Sequence, residues 1–273
     1  MHRFSLDHIV INTHDRTDEA VAAYQRLGFT VQPRGYHTLG SLNHLMVFGD
    51  NYLEFLGYLQ GAPPPQRPEL PESPIGLLAT VLKTSSADAT RATLIAQGLP
   101  LRPVSAFSRQ VAIDGIEHTA SFRVCRMERN KIPGTWFYYC QHETPELVFR
   151  PEWSQHANGV TGIVSASIEL SDLNAALPQY AAALGCALGN ARRTNTGAAF
   201  ELPGFSLQLA QVAELPVGRS AMRSVTLRTR DLAALRRLLG RNGVAFSESA
   251  AGLVVAEEHA MGAALVFVEP TVV

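Results

Sequence analysis

One arrangement of predicted elements occurs four times along this chain: a strand, a polar turn, a helix that ends near glycine, and three further strands. A recurring unit is better evidence for architecture than any single helix prediction. Glycine ends a helix at no steric cost, because it adopts the left-handed conformation readily. The predicted modules, each β-α-β-β-β, cover residues 5–60, 75–150, 162–212 and 221–270.

The repeat also predicts the domain organisation. A proline-rich stretch, residues 61–74, separates the first module from the second, and an Asn158-Gly159 turn lies between the second and the third. We expect an α+β protein whose modules pair into two domains, residues 1–156 and 157–273. The second strand of each module is predicted at residues 29–31, 101–104, 187–188 and 245–246.

Two strands of the first module each place one ionisable side chain among apolar neighbours. Successive side chains of a strand alternate between faces, so His8 shares a face with Leu6 and Val10, and Glu54 shares one with Tyr52. A lone histidine in this setting is more often a core residue. A carboxylate in an apolar strand, however, is costly to bury unless it is paired or bound to metal. The pair would also suit a general base, with Glu54 orienting the imidazole of His8 and raising its pKa.

Three segments resemble the vicinal oxygen chelate superfamily, and more narrowly its glyoxalase-like branch: residues 6–10 (LDHIV), Leu27-Gly28-Phe29 and Tyr52-Leu53-Glu54. The resemblance covers nearly the whole chain. It implies that paired modules form a cupped mixed sheet that holds a divalent metal. It is specific for the fold and not for the reaction, since such proteins include lyases, isomerases and extradiol dioxygenases.

The same resemblance implies a set of metal ligands from the first and fourth strands of two paired modules. Module one supplies His8 and Glu54, but in module two Ala79 stands where a second histidine would be expected. At the fourth strand of module two, Gln141 stands at the position of Glu54, with His142 beside it. Strict alternation lets only one of these two face the cup, although a bulge could re-aim the other. The implied ion is Fe, Zn, Mn or Ni, held by His8, Glu54 and either Gln141 or His142.

Further residues are predicted to bind the substrate. Asn43, or failing that His44, faces the cup, where an amide can bind a carbonyl or carboxylate. Tyr139 belongs to the core or the pocket wall, and Asn158 to a hinge or the pocket. A guanidinium in the cup would imply an anionic substrate. Solvated edges are nevertheless expected for most arginines of module two: Arg102, Arg109, Arg123 and Arg126.

The second pair of modules lacks ionisable groups at the corresponding positions. Ser165 and Ser224 fall near the position of His8, and Gln208 falls near that of Glu54. We therefore expect residues 157–273 to be a degenerate copy that serves as a scaffold, a dimer surface or a lid.

Composition bounds the partners and the compartment. The formal net charge is −1, from 23 basic and 24 acidic side chains, and no basic stripe is visible. This balance argues against nucleic acid or an anionic membrane as a partner. The three cysteines have no CxxC spacing, and there is no signal peptide or membrane-spanning run, so we expect a cytoplasmic protein.

These observations predict a metal-dependent lyase or isomerase, or an extradiol-type dioxygenase, that acts on a small molecule with adjacent oxygens. The metal would act as a Lewis acid that stabilises an enediolate-like intermediate. The alternative is a metal-free protein that binds or sequesters a small aromatic or anionic molecule in the same cup. Ala79 favours this alternative, whereas the pairing of His8 with Glu54 opposes it. A homodimer is compatible with both.

Overall fold

The computed structural model describes residues 4–62, 65–67, 69–215 and 220–270. The elements of the first half are β1 (Leu6–His14), α1 (Thr17–Arg26), β2 (Gly35–Tyr36), β3 (Leu42–Val47), β4 (Tyr52–Gly57), α2 (Glu69–Glu72), β5 (Gly76–Lys83), α3 (Ala87–Ala96), β6 (Ser105–Ile113), β7 (Ile116–Arg126) and β8 (Trp136–His142). Those of the second half are β9 (Val160–Leu170), α4 (Leu173–Ala183), β10 (Arg192–Arg193), β11 (Gly197–Leu202), β12 (Phe205–Gln211), β13 (Ala221–Thr229), α5 (Leu232–Arg241), β14 (Ser247–Ser249), β15 (Gly252–Val255) and β16 (Ala264–Val268).

Each half forms one eight-stranded sheet in which two modules join through their first strands. β1 pairs with β5 antiparallel, and each of them pairs in parallel with the fourth strand of its own module. The order is β2-β3-β4-β1-β5-β8-β7-β6, and the second sheet repeats it as β10-β11-β12-β9-β13-β16-β15-β14. The predicted α+β class, with four modules paired into two curled glyoxalase-like domains, is therefore confirmed. The predicted boundary at residue 156 stays a prediction.

The helices begin and end at the signals that the sequence repeat contains. The carboxylates of Asp172 and Asp231 accept hydrogen bonds from the amides of Ala175 (3.0 Å) and Ala234 (2.8 Å), and Ser86 caps α3 in the same way. No helix in the described residues is long and apolar enough to cross a membrane. Glycines with positive φ follow the four longer helices that belong to the modules: Gly28, Gly98, Gly185 and Gly243.

The second strand of every module begins later than the sequence predicts. After each helix the chain crosses to the sheet edge before the strand begins. In module one, Phe29 on this crossing is buried in the core and joins no strand. In module two the predicted strand 101–104 gives way to β6, which forms a hairpin with β7. Asp114 and Gly115 make the turn with φ of 51° and 78°, a conformation that suits a two-residue hairpin loop.

The two faces of the first sheet have different surroundings. One face packs with the helices and the second sheet in a large core that contains Ile9, Phe55 and Phe267. The other face curls around a separate cluster that includes Val10 and Tyr138. We call this second face the cup. Because residues i and i+2 of a strand share a face, His8 lies on the cup side with Val10.

Candidate active site in the N-terminal cup

A bulge at the start of β1 brings Asp7 and His8 together. Leu6 pairs with Leu82 and His8 with Val81 on β5, so Asp7 is an extra residue that the antiparallel ladder does not pair. An extra residue of this kind interrupts the alternation of faces. Asp7 is fully buried, and its Oδ2 lies 2.7 Å from Nδ1 of His8. Strict alternation along β1 would place Asp7 on the face opposite to that of His8.

Four side chains form a continuous row of buried contacts, which we call the carboxylate–histidine chain: Glu54, His8, Asp7 and His142. Nε2 of His8 lies 3.3 Å from Oε2 of Glu54, and Nε2 of His142 lies 3.0 Å from both oxygens of Asp7. Asn43 donates a 2.7 Å hydrogen bond to Oε1 of Glu54. The ring of Tyr52 stacks on that of His8, with centroids 4.3 Å apart. Each member is therefore held by at least one neighbour.

These contacts fix the charges of the chain at neutral pH. Burial alone would lower the pKa of His8, but its hydrogen bonds to Asp7 and Glu54 and their negative charges outweigh burial and raise it to about 9. Burial alone would raise the pKa of Glu54, but His8, with smaller effects of His37 and Asn43, lowers it to about 2. The pKa of Asp7 is likewise held well below its ordinary value by His142 and His8 against the effect of burial. His8 is thus an imidazolium between two carboxylates.

The carboxylate–histidine chain borders a cavity of about 30 Å³ inside the cup. Its aromatic and apolar wall includes Tyr52, Phe107, Phe122 and Tyr138, and its polar wall includes His8, His37, Asn43, Glu54, Arg67 and Arg109. Arg67 and Arg109 are 6% and 2% exposed, so both side chains are buried, and they line the same cavity as Glu54. His37 is neutral, because burial and then the nearby arginines lower its pKa to about 3 against the attraction of Glu54.

Three of the predicted site residues line this cavity, namely His8, Glu54 and Asn43. His142 reaches the same site through Asp7 and packs against Phe122. Of the two alternatives at residues 141 and 142, the structure brings His142 to this site, and its role as a ligand stays a prediction. Gln141 lies on the other side of β8, where its Oε1 accepts a 2.8 Å hydrogen bond from the amide of Ala87 at the start of α3. Its predicted place in the ligand set is not supported, because the strand turns its side chain out of the cup.

The other three predicted substrate contacts also lie outside the cup. His44 is on the reverse side of β3, and its Nδ1 lies 2.7 Å from the carbonyl oxygen of Gln32. The hydroxyl of Tyr139 donates a 2.8 Å hydrogen bond to the carbonyl of Ala183 in the core shared with the second sheet. The amide of Asn158 donates to a carbonyl of residue 27 and accepts from the backbone of residue 160. Each of the three has a polar atom bonded to a backbone group outside the cup, and a substrate contact for them stays a prediction.

Four residues at this site were not predicted from the sequence to be part of it: Asp7, His37, Arg67 and Arg109. Asp7 adjoins His8, but no sequence signal marks the bulge. The ring of His37 is buried, and its Nδ1 lies 2.9 Å from the hydroxyl of Ser41. A solvated edge was expected for most arginines of module two, but Arg109 is buried, because β6 folds back along the cup and meets His37.

The donor set of the cup does not fit the metal site that the family resemblance implies. Both ring nitrogens of His8 contact carboxylates, so neither presents a lone pair to an ion. Where module two would add ligands, its cup-facing side chains are Ala79, Val81 and Tyr138. A different group has potential ligand atoms within 4.8 Å of one another, namely Asp7, Cys140 and His142. Burial raises the pKa of the Cys140 thiol well above its ordinary value, so an ion bound there would have to displace the thiol proton.

Comparisons with known proteins identify the fold. A family described as "Glyoxalase-like domain" matches residues 6–184, which confirms the predicted resemblance to the vicinal oxygen chelate superfamily. No curated protein matches the sequence. A hypothetical protein from Staphylococcus aureus has a similar structure, with a TM-score of 0.70, 12% identity, and coverage of 98% of this chain and 100% of that one.

Two further solved structures are similar in fold. A mutant of 4-hydroxymandelate synthase from Streptomyces coelicolor gives a TM-score of 0.53 at 12% identity, covering 91% of this chain and 78% of that chain. A xylose isomerase-like TIM barrel/4-hydroxyphenylpyruvate dioxygenase fusion protein gives 0.58 at 15% identity. This comparison covers 90% of the present chain but only 40% of the fusion protein. At these identities the similarity concerns the fold alone.

Proposed function

Because the chain belongs to the glyoxalase-like domain family, we propose that it is an enzyme that transfers a proton on a small molecule with adjacent oxygens, as a lyase or isomerase does. The observation that supports this proposal is the position of His8, whose two ring nitrogens each contact a carboxylate at the wall of the cavity. An imidazolium and a carboxylate side by side offer one ligand both a proton donor and a proton acceptor.

Glu54 is the proposed base. One of its oxygens accepts a hydrogen bond from Asn43, and the other faces His8 across 3.3 Å. That distance is longer than the 2.7 Å between His8 and Asp7, so the N–H on Nε2 is the one that can turn to a substrate oxygen. The proton on the adjacent substrate carbon then passes to Glu54, and the charge that develops on the oxygen is stabilised by His8.

Asp7 and His142 are proposed as positioning residues behind His8. Asp7 holds Nδ1 of the imidazolium and is itself held by His142, which fixes the ring orientation in the way that a buried carboxylate orients a catalytic histidine elsewhere. Both residues act through His8 and need not touch the substrate.

A metal-dependent reaction is the second candidate, either as a lyase or isomerase or as an extradiol-type dioxygenase. The observation that favours it is the group of Asp7, Cys140 and His142, and one structural neighbour is named for a dioxygenase. The set of His8, Glu54 and His142 would need a different arrangement, because His8 would have to lose its proton and release a carboxylate.

Exchange of carbon-bound hydrogen for deuterium would test the proposal without knowledge of the natural substrate. Wild-type protein, treated with a chelator, is incubated in D₂O with lactate, lactamide and hydroxyacetone, and the hydrogen next to the oxygens is followed by NMR. We expect exchange for at least one probe, and a rate about 10²–10⁴-fold lower in Glu54→Gln. Glu117→Gln, which changes an exposed carboxylate on the β6–β7 hairpin, is the matched control and should keep the wild-type rate.

Two results would contradict the proposal: no exchange with any of the three probes, or exchange that Glu54→Gln leaves unchanged. Exchange that appears only before chelator treatment would support the metal-dependent candidate instead.

A further inference from the structure

We propose that the substrate of the cup carries a carboxylate and that this carboxylate binds Arg109. The inference deepens the proposed function, since it names the substrate class of the same site. Arg109 is 2% exposed, and its Nε and Nη2 are buried with no hydrogen-bond partner among the residues that the structure describes. A buried cation without partners is costly, so a fold that retains one usually does so for a ligand.

The two unpartnered nitrogens lie on the same edge of the guanidinium. The N–H groups of Nε and Nη2 point in parallel, and their spacing matches the two oxygens of a carboxylate, which accepts both bonds at once. A neutral amide has only one such acceptor, and it adds an NH₂ donor that would face the cation. The edge of Arg109 therefore discriminates between an acid and its amide.

The carboxylate of Glu54, which lines the same cavity, already has other partners. Its two oxygens contact Asn43 and His8, so it balances part of the charge in the cup but leaves the edge of Arg109 open. The second buried guanidinium, on Arg67, also has an unpartnered Nε within the described residues. The cup thus has more donors for an anion than the protein itself satisfies.

Gly35 makes room for Arg109 in this position. A Cβ atom on Gly35 would lie 2.9 Å from Cδ and 3.0 Å from Nη1 of Arg109, and 2.5 Å from Oδ1 of Asn43. The first and the third of these separations are shorter than real Cβ atoms show, and the second is tighter than nearly all real Cβ contacts. The absence of a side chain at Gly35 therefore leaves room beside β2 for the side chains of Arg109 and Asn43.

A second buried atom without a hydrogen-bond partner restricts the class of substrate further. Oδ1 of Asn43 is buried and accepts no hydrogen bond in the described structure, while the amide nitrogen of the same side chain donates to Glu54. A hydroxyl next to the carboxylate would supply the missing donor. A small 2-hydroxy acid has this pair of adjacent oxygens, and its carbon-bound hydrogen would lie between the groups held by Arg109, Asn43 and Glu54.

Isothermal titration calorimetry tests the inference. It compares the affinity of the protein for two acids, lactate and glycolate, with its affinity for the corresponding amides, lactamide and glycolamide. We expect both acids to bind wild-type protein and both amides to bind at least about 30-fold more weakly, the scale of two charge-assisted hydrogen bonds. Arg109→Gln should lose acid binding by a similar factor. Arg109→Lys should lose less, because it keeps the charge without the parallel donors. Arg102→Gln, at an exposed arginine of the same module, is the control.

A stability measurement separates ligand binding from a structural role. An arginine that holds the fold together would lower the melting temperature when it is replaced, whereas an unpartnered one should not. We expect Arg109→Met to melt within about 2 °C of wild type, or higher, and to have lost the binding of lactate. The inference is overturned if the amides bind as well as the acids, if neither acid binds, or if Arg109→Gln binds lactate as wild type does.

The result of the binding test does not depend on whether the protein catalyses deuterium exchange. Acid binding that depends on Arg109, without any deuterium exchange, would uphold this inference and refute the proposed function. Exchange on hydroxyacetone with no binding of either acid would do the reverse.

Discussion

Replacement of Asp7 by asparagine is expected to destabilise the protein more than any single change at its surface. Asp7 is fully buried and accepts hydrogen bonds from two histidines, at 2.7 Å from His8 and 3.0 Å from His142. Asparagine keeps one acceptor oxygen but turns an NH₂ group toward the second ring. One charge-assisted bond is lost, worth about 1.5–3 kcal/mol, and the imidazolium of His8 keeps only one carboxylate neighbour.

We therefore expect Asp7→Asn to lower the free energy of unfolding by about 2–4 kcal/mol at pH 6, measured by urea denaturation. Asp50→Asn, which changes an exposed aspartate in the β3–β4 turn, should stay within about 0.5 kcal/mol of wild type. The pKa of His8, followed by NMR of its ring, should fall in Asp7→Asn, because its strongest hydrogen bond to a charged group is gone. A variant as stable as the Asp50 control, with the His8 pKa still near 9, would refute the reasoning.

The remaining predictions follow from the same contacts. The stabilisation from His8 is complete below its unfolded pKa near 6.5 and is lost as pH rises through its folded pKa of about 9. The stabilisation from Glu54 is complete above its unfolded pKa of 4.5 and is lost as pH falls through its folded pKa of about 2. Urea denaturation should therefore find the free energy of unfolding highest at about pH 4.5–6.5, and a flat profile across pH 6–10 would contradict the role of His8. Gly35→Ala should abolish lactate binding and cost about 1–3 kcal/mol of stability, because its Cβ would displace Arg109; binding at wild-type affinity would show that the side chains can rearrange at no cost. Tyr139→Phe should lower stability by about 1 kcal/mol, through loss of the hydrogen bond to Ala183, and leave lactate binding intact, whereas weaker binding would return Tyr139 to the site.

The fold is largely predictable from the sequence because its signals are local and recur. The polar turn, the helix and the positive-φ glycine after it appear in comparable places in each module, and each is a property of a few consecutive residues. A side chain caps the helix in modules two, three and four. The second strands are not predictable in the same way. Phe29 looks like part of a strand in sequence, but its burial comes from packing against Tyr24, a contact that no local pattern contains.

The site is predictable only where the alternation of faces holds. Glu54 and Asn43 lie on regular stretches of their strands, His8 keeps the alternation with Val10 after the bulge, and all three line the cavity. Asp7 could not be placed, because the bulge depends on the register between β1 and β5 and not on the residues of β1 alone. Arg109 could not be placed either, since its burial depends on a hairpin that folds back across the cup.

The ring nitrogens of His8 in wild-type protein provide the most direct test of this account. Protein purified without chelators or a nickel column is labelled with ¹⁵N, and the two nitrogen signals of His8 are assigned at pH 7. The account predicts that both nitrogens carry a proton, because Asp7 and Glu54 hold the imidazolium from its two sides. A neutral ring with one unprotonated nitrogen, or a nitrogen bound to a metal ion, would contradict it.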